Sequence, residues 1–76
     1  MPKIPIVKPI KVVKALKRVG FIEVRQTGSH LFLLNSRTKK IVPVPIHAKT
    51  LKKGLLHGII KEAGLTLEEF LKLLKK

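Results

Sequence analysis

Three histidines, His30, His47 and His57, are the side chains of this sequence that ordinarily titrate near neutral pH. The acids are sparse: Glu23, Glu62, Glu68 and Glu69. Thr66-Leu67-Glu68-Glu69 reads as the capping box of a helix start, with Leu65 and Phe70 placed for a hydrophobic staple. Glu62 reads as a helix-surface residue. No carboxylate pair is left for glycosidase or two-metal chemistry. The sequence has no Gly-rich phosphate loop, no HExxH and no CxxC, and it has no Cys at all. Disulfide scaffolds and Cys-bearing zinc sites are therefore excluded, and neither a metal nor a cofactor is expected.

Against 4 acids stand 17 Lys and Arg, a formal charge of +13 on 76 residues. Such charge repels itself and calls for a polyanion, with nucleic acid ahead of an acidic protein or an anionic membrane surface. A plain Lys-rich solvated surface is the bland alternative. RNA is the polyanion on which one or two histidines can act, because its 2′-OH is a built-in nucleophile. Cleavage needs a base for that proton, an acid for the leaving 5′-oxygen, and Lys or Arg to stabilise the charged phosphorane. DNA lacks the 2′-OH, so the same groups fail on it.

His30 directly follows Gly28-Ser29, at the start of a strand-like segment. A turn glycine lets a substrate backbone come close, and a histidine on a rigid strand end suits catalysis. The competing reading is a half-buried strand histidine that packs its ring. His47 lies just past Val44-Pro45-Ile46. In an antiparallel sheet one strand's exit can lie near its neighbour's start, so His47 either faces the same cleft or is an ordinary loop residue. His57, between Leu56 and Gly58 in a helical segment, reads as structural or surface.

The elements that must position these residues follow from periodicity. Pro9 suits a first helical turn, and Val12, Val13, Ala15, Leu16 and Val19 recur at helical spacing up to Gly20, a left-handed stop. The other face of that helix carries Lys11, Lys14 and Arg18, with Lys17 close by. Phe21–Gln26, His30–Leu34 and Lys40–Pro45 read as strands, the second central and the third at an edge because Pro43 and Pro45 cannot donate to a ladder. A helix follows with Leu51, Leu55, Leu56, Ile59, Ile60 and Ala63 as its apolar face and Gly64 as its stop. Gly54 and Gly58 leave it room to approach another backbone. Phe70, Leu71, Leu73 and Leu74 face inward on a short last helix. The order α-β-β-β-α-α implies a two-layer α+β domain, an antiparallel three-stranded sheet with helices on one face. Residues 1–8 are an extended Pro/Lys leader and residues 9–76 one domain, of the length one core supports. The apolar fraction, 45%, is that of a folded protein, and the longest apolar run, Leu31–Leu34, is far too short to span a membrane. A cytoplasmic protein is expected.

In order along the chain, Gly20-Phe21, Val24-Arg25-Gln26-Thr27-Gly28-Ser29-His30, Val42-Pro43-Val44-Pro45-Ile46-His47, Leu51-Lys52-Lys53-Gly54-Leu55, Ile59-Ile60-Lys61-Glu62-Ala63-Gly64-Leu65 and Glu68-Glu69-Phe70-Leu71 resemble the HicA toxin family. The resemblance runs from Pro9 to Leu74. It implies a fold like a double-stranded-RNA-binding domain, α-β-β-β-α, here with a short additional C-terminal helix. It also implies a type II toxin that cleaves mRNA without needing the ribosome, and a HicB-type antitoxin that covers the essential histidine. That histidine corresponds to His30, and the family's second histidine to His47. The leader is longer than the family usually carries.

The leading reading is thus a metal-independent endoribonuclease. His30 is its acid–base group, His47 a candidate second one, and Gly28 and Ser29 shape the turn. Lys11, Lys14, Arg18, Arg25 and Lys49 grip the RNA backbone. The alternatives are a non-catalytic RNA-binding module that reads shape and phosphates, and an interaction subunit that complements an acidic protein. With no Tyr or Trp and three Phe, at least two of them core, an aromatic stacking platform for single strands is not expected.

Overall fold

A computed structural model describes residues 6–75 of the protein. The elements run α1 (Pro9–Arg18), β1 (Phe21–Gln26), β2 (His30–Asn35), β3 (Lys40–Pro45), α2 (Lys53–Glu62) and α3 (Leu67–Leu74). The strands form one antiparallel sheet in the order β1-β2-β3, so β2 is central and the proline-bearing β3 is an edge, as expected. α1 packs on β1 and β3, α2 on β3, and α3 on α1 and α2.

The alternation of β2 decides which way the sheet faces. Leu31, Leu33 and Asn35 are buried while His30, Phe32 and Leu34 are only partly so. Successive side chains of a strand point to opposite faces, so the buried set meets the helices and the other set points away from them. Val42 and Val44 of β3, Val12 and Leu16 of α1, Leu56 and Ile60 of α2 and Phe70 of α3 complete the core with Leu33, each essentially inaccessible to solvent. Burying one such side chain contributes about 1.5–3 kcal/mol.

Gly20 ends α1 at φ 100 and lets Phe21 turn back into the core beside Leu16. Asn35 is the buried polar side chain among the described residues. Its amide donates to the Val19 carbonyl at 3.2 Å, and its side-chain oxygen accepts the N–H groups of Arg37 and Thr38 at 3.0 and 3.3 Å. It therefore joins the α1–β1 corner to the β2–β3 turn. α3 begins with the expected capping box, Thr66 and Glu69 each accepting the other's backbone N–H.

Several expectations need correction. Leu51 is buried, but it precedes α2 and pairs with Val7 in an isolated antiparallel bridge, its N–H donating to the Val7 carbonyl at 2.8 Å. A lone apolar residue four positions before Leu55 matches helical spacing whether or not the helix has begun, which is why periodicity misassigned it. Leu55 is about half exposed, at the edge of the stripe formed by Leu56, Ile59 and Ile60, where it borders a surface hollow with Ile59, Val42 and Pro43. Leu71, Leu73 and Leu74 are each only half-buried; Leu73 and Leu74 pack against the core, and Leu71 lies outside it. Among the described residues, nothing beyond the helix itself comes within 4 Å of a Cβ built on Gly54 or Gly58. The leader's Val7 packs against the core, whereas residues 1–5 lie outside the described residues. Among the described residues no helix is long and apolar enough to cross a membrane.

Candidate active site

The β1–β2 connection is a two-residue hairpin loop, Gly28-Ser29, because Gln26 pairs with Leu31 and Thr27 closes on His30. The Thr27 N–H donates to the His30 carbonyl at 2.9 Å, and the Thr27 hydroxyl oxygen accepts the His30 N–H at 3.3 Å. Both backbone polar groups of His30 are thus held by Thr27. From the third strand, the Ile46 N–H donates to the Ser29 carbonyl at 3.0 Å, and His30 stands opposite Pro45 in the β2–β3 register.

The side chains extend this arrangement. The Ser29 hydroxyl lies 2.9 Å from Nδ1 of His30. A hydroxyl can donate or accept, so it supports either tautomer and leaves Nε2 of His30 free as a base or as an acid. Nε2 of His47 hydrogen-bonds the Gly28 carbonyl. The fold therefore brings His30 and His47 to one turn, as antiparallel geometry allowed. Gly28 has no left-handed φ, and among the described residues nothing comes within 4 Å of a Cβ built there. Neither backbone strain nor internal crowding requires glycine at this position, and the space above it is open.

The basic residues do not form one patch. Lys11, Lys14 and Arg18 line a hollow of about 130 Å³ against Leu73 and Leu74 of α3, in the helix layer. His30 faces out from the opposite side of the sheet. Arg18 also sits at the α1 end that leads into β1, whereas the hairpin loop lies at the far end of that strand, roughly 17 Å along it. Lys14 additionally borders a groove of about 390 Å³ that reaches Leu31 and Ile46, the chain neighbours of His30 and His47. Lys17 ion-pairs with Glu23. Lys49 is exposed two residues beyond His47, and His57 is exposed on α2. Arg25 joins the outer sheet face with His30, since it pairs with Phe32 across the strands.

Thr27 and Phe32 are the residues that sequence reasoning missed. The signal for Thr27 was its position as the residue closing a two-residue hairpin loop. Phe32 carried one too: it shares a strand face with His30, two residues away. No group of three or more His, Asp or Glu positioned to hold a metal occurs among the described residues.

A search of curated proteins finds no match. A family model described as HicA toxin of bacterial toxin-antitoxin matches residues 11–65. That span starts in α1, passes through the whole sheet and the Gly28–His30 turn, and ends just past α2, well over half of the chain. The chain belongs to the HicA toxin family of bacterial toxin–antitoxin systems.

Proposed function

We propose that the protein is an endoribonuclease toxin that cleaves mRNA with His30 as its acid–base group. The observation that carries this reading is the Gly28-Ser29-His30 turn. One imidazole has its backbone N–H and carbonyl both held by Thr27, is contacted at Nδ1 by a hydroxyl, and is free at Nε2 beside an open glycine. Nε2 takes the proton from the RNA 2′-OH as O2′ bonds to phosphorus. The bond from phosphorus to O5′ breaks, and the proton is returned to that oxygen. The products are a 2′,3′-cyclic phosphate and a 5′-hydroxyl, with atoms and protons balanced. Nδ1 keeps its proton throughout and donates it to the Ser29 hydroxyl oxygen, because the base form carries Nδ1–H and the imidazolium carries both protons. Arg25, on the same face, and Lys49, beyond His47, supply positive charge for the phosphorane. Lys11, Lys14 and Arg18 lie in the other layer and hold more distant phosphates. His47, tied to the Gly28 carbonyl, completes the turn. A cognate antitoxin accompanies the toxin. We assign it the HicB type, and it keeps His30 from RNA in the resting cell, taken to be the cytoplasm.

His30→Ala tests the catalytic assignment. The variant should melt like the parent and leave RNA intact, while the parent cuts in the presence of a chelator and yields 2′,3′-cyclic ends. A folded His30→Ala protein that still cuts refutes the assignment. Binding of RNA by the parent without any cutting favours the non-catalytic module.

A further inference from the structure

Among the described residues, the helices cover one face of the sheet and leave the other bare. Two cross-strand rows run over the bare face next to His30: Arg25–Phe32–Pro43, then Ile22–Leu34–Ile41. Ile22 and Ile41 are each more than half exposed. Of the three Phe residues, Phe21 and Phe70 are buried in the core, and Phe32 alone lies on this face. It is two residues from His30 on the same side of the same strand, about 7 Å along it, within reach of the base next to a phosphate held at His30. Arg25 stands directly across from it, close enough for a guanidinium to flank a base stacked on the ring.

We infer that Phe32 is a stacking platform for an unpaired RNA base beside the scissile phosphate, with Arg25 at its flank, so that the substrate is single-stranded at the cut. This rests on the proposed action on RNA and specifies its substrate class. Chemistry and charge agree with it. In-line attack requires O2′, phosphorus and O5′ to align, which the regular stacking of an A-form duplex prevents, whereas a base held on Phe32 leaves the flanking linkage free to rotate into line. A chain of charge +13 with Arg25 on this face also selects an anionic occupant over a second copy of itself.

An all-2′-O-methyl RNA, which lacks the nucleophile and cannot be cut, separates this inference from the catalytic one. Its affinity is measured as a single strand and as a duplex, for the parent, Phe32→Leu and Phe32→Trp, with thermal melts to establish folding. Phe32→Leu keeps apolar bulk and loses the π-face, so single-strand binding should weaken about tenfold while duplex binding is unchanged. Phe32→Trp should bind the single strand as tightly as the parent. Equal loss for strand and duplex, or no loss for either, overturns the inference and returns this face to a protein partner. Continued RNA cutting by His30→Ala would sink the catalytic reading and leave this result standing.

Discussion

Replacing His47 by Gln and, separately, by Ala distinguishes the two jobs open to its imidazole, second acid–base group or clasp on the turn. Nε2 of His47 meets the Gly28 carbonyl, one residue from Ser29 and two from His30. The bond is solvent-exposed, and the adjacent backbone bond from Ile46 N–H to the Ser29 carbonyl, at 3.0 Å, survives either substitution. Losing it therefore costs about 0.5–1 kcal/mol, a fall of roughly 2–8 °C in Tm for a domain of this size. Its effect on cleavage is larger, because a loosened turn misplaces His30, and a misplacement of about 1 Å can cost on the order of a hundredfold. Gln carries an amide N–H near the position of the imidazole Nε2, so it keeps the bond and cannot titrate. If His47 is a clasp, His47→Gln cuts RNA close to the parent rate and His47→Ala falls toward a hundredfold loss. Single-turnover cleavage of a labelled RNA by each variant, with melts alongside, is the assay. A folded His47→Gln protein as slow as His47→Ala, both down by about 10²–10⁴, refutes the clasp and makes His47 the second acid–base group.

Two further outcomes are expected. Gly28→Ala should leave the Tm within about 2 °C, since φ and space both admit a Cβ, yet slow RNA cleavage if a phosphate backbone crosses the open glycine; unchanged cleavage rules out that approach. The Glu69 carboxyl lies below the ordinary glutamate range, chiefly because it accepts the Thr66 N–H and then because of its bond with the Thr66 hydroxyl. A carboxyl held low in the folded state adds stability above its unfolded value, near pH 4.3, and loses it as pH falls through the folded one. Glu69→Gln keeps both capping bonds without titrating, so its urea midpoint should fall less than the parent's between pH 5 and pH 3, and an equal fall contradicts the assignment.

The fold was legible wherever a local rule acts alone. Pro9 and Gly20 bracket α1, Gly64 follows α2, and Pro43 and Pro45 send β3 to an edge because each is fixed by its own backbone chemistry. Leu51 was not legible, because its partner Val7 lies 44 residues away and a bridge of one pair leaves no periodic trace. Asn35 was also hidden. An Asn before Ser36 and Arg37 resembles turn chemistry, and only the folded corner brings the Val19 carbonyl to its amide.

The candidate site divides in the same way. His30 was readable from Gly28-Ser29 ahead of a strand, and its nearness to His47 followed from antiparallel neighbours. The face Arg25 occupies was not readable. Strict alternation from buried Phe21 puts Phe21, Glu23 and Arg25 together on the helix side, and Glu23 does pair with Lys17 of α1. Between Glu23 and Arg25 the register shifts: Glu23 lies opposite Leu33 and Arg25 opposite Phe32, leaving Val24 as the extra residue. One extra residue reverses every side chain beyond it. The bulge thus moves a guanidinium from the layer of Lys11, Lys14 and Arg18 to the layer of His30 and Phe32. Deleting Val24 should remove the bulge and leave Arg25 opposite Phe32 on the outer face, directly after inward Glu23. A deletion protein that folds should therefore keep its single-strand RNA affinity, whereas Arg25→Gln should weaken it. A folded Arg25→Gln protein that binds single-stranded RNA like the parent would show that Arg25 contributes nothing on the outer face.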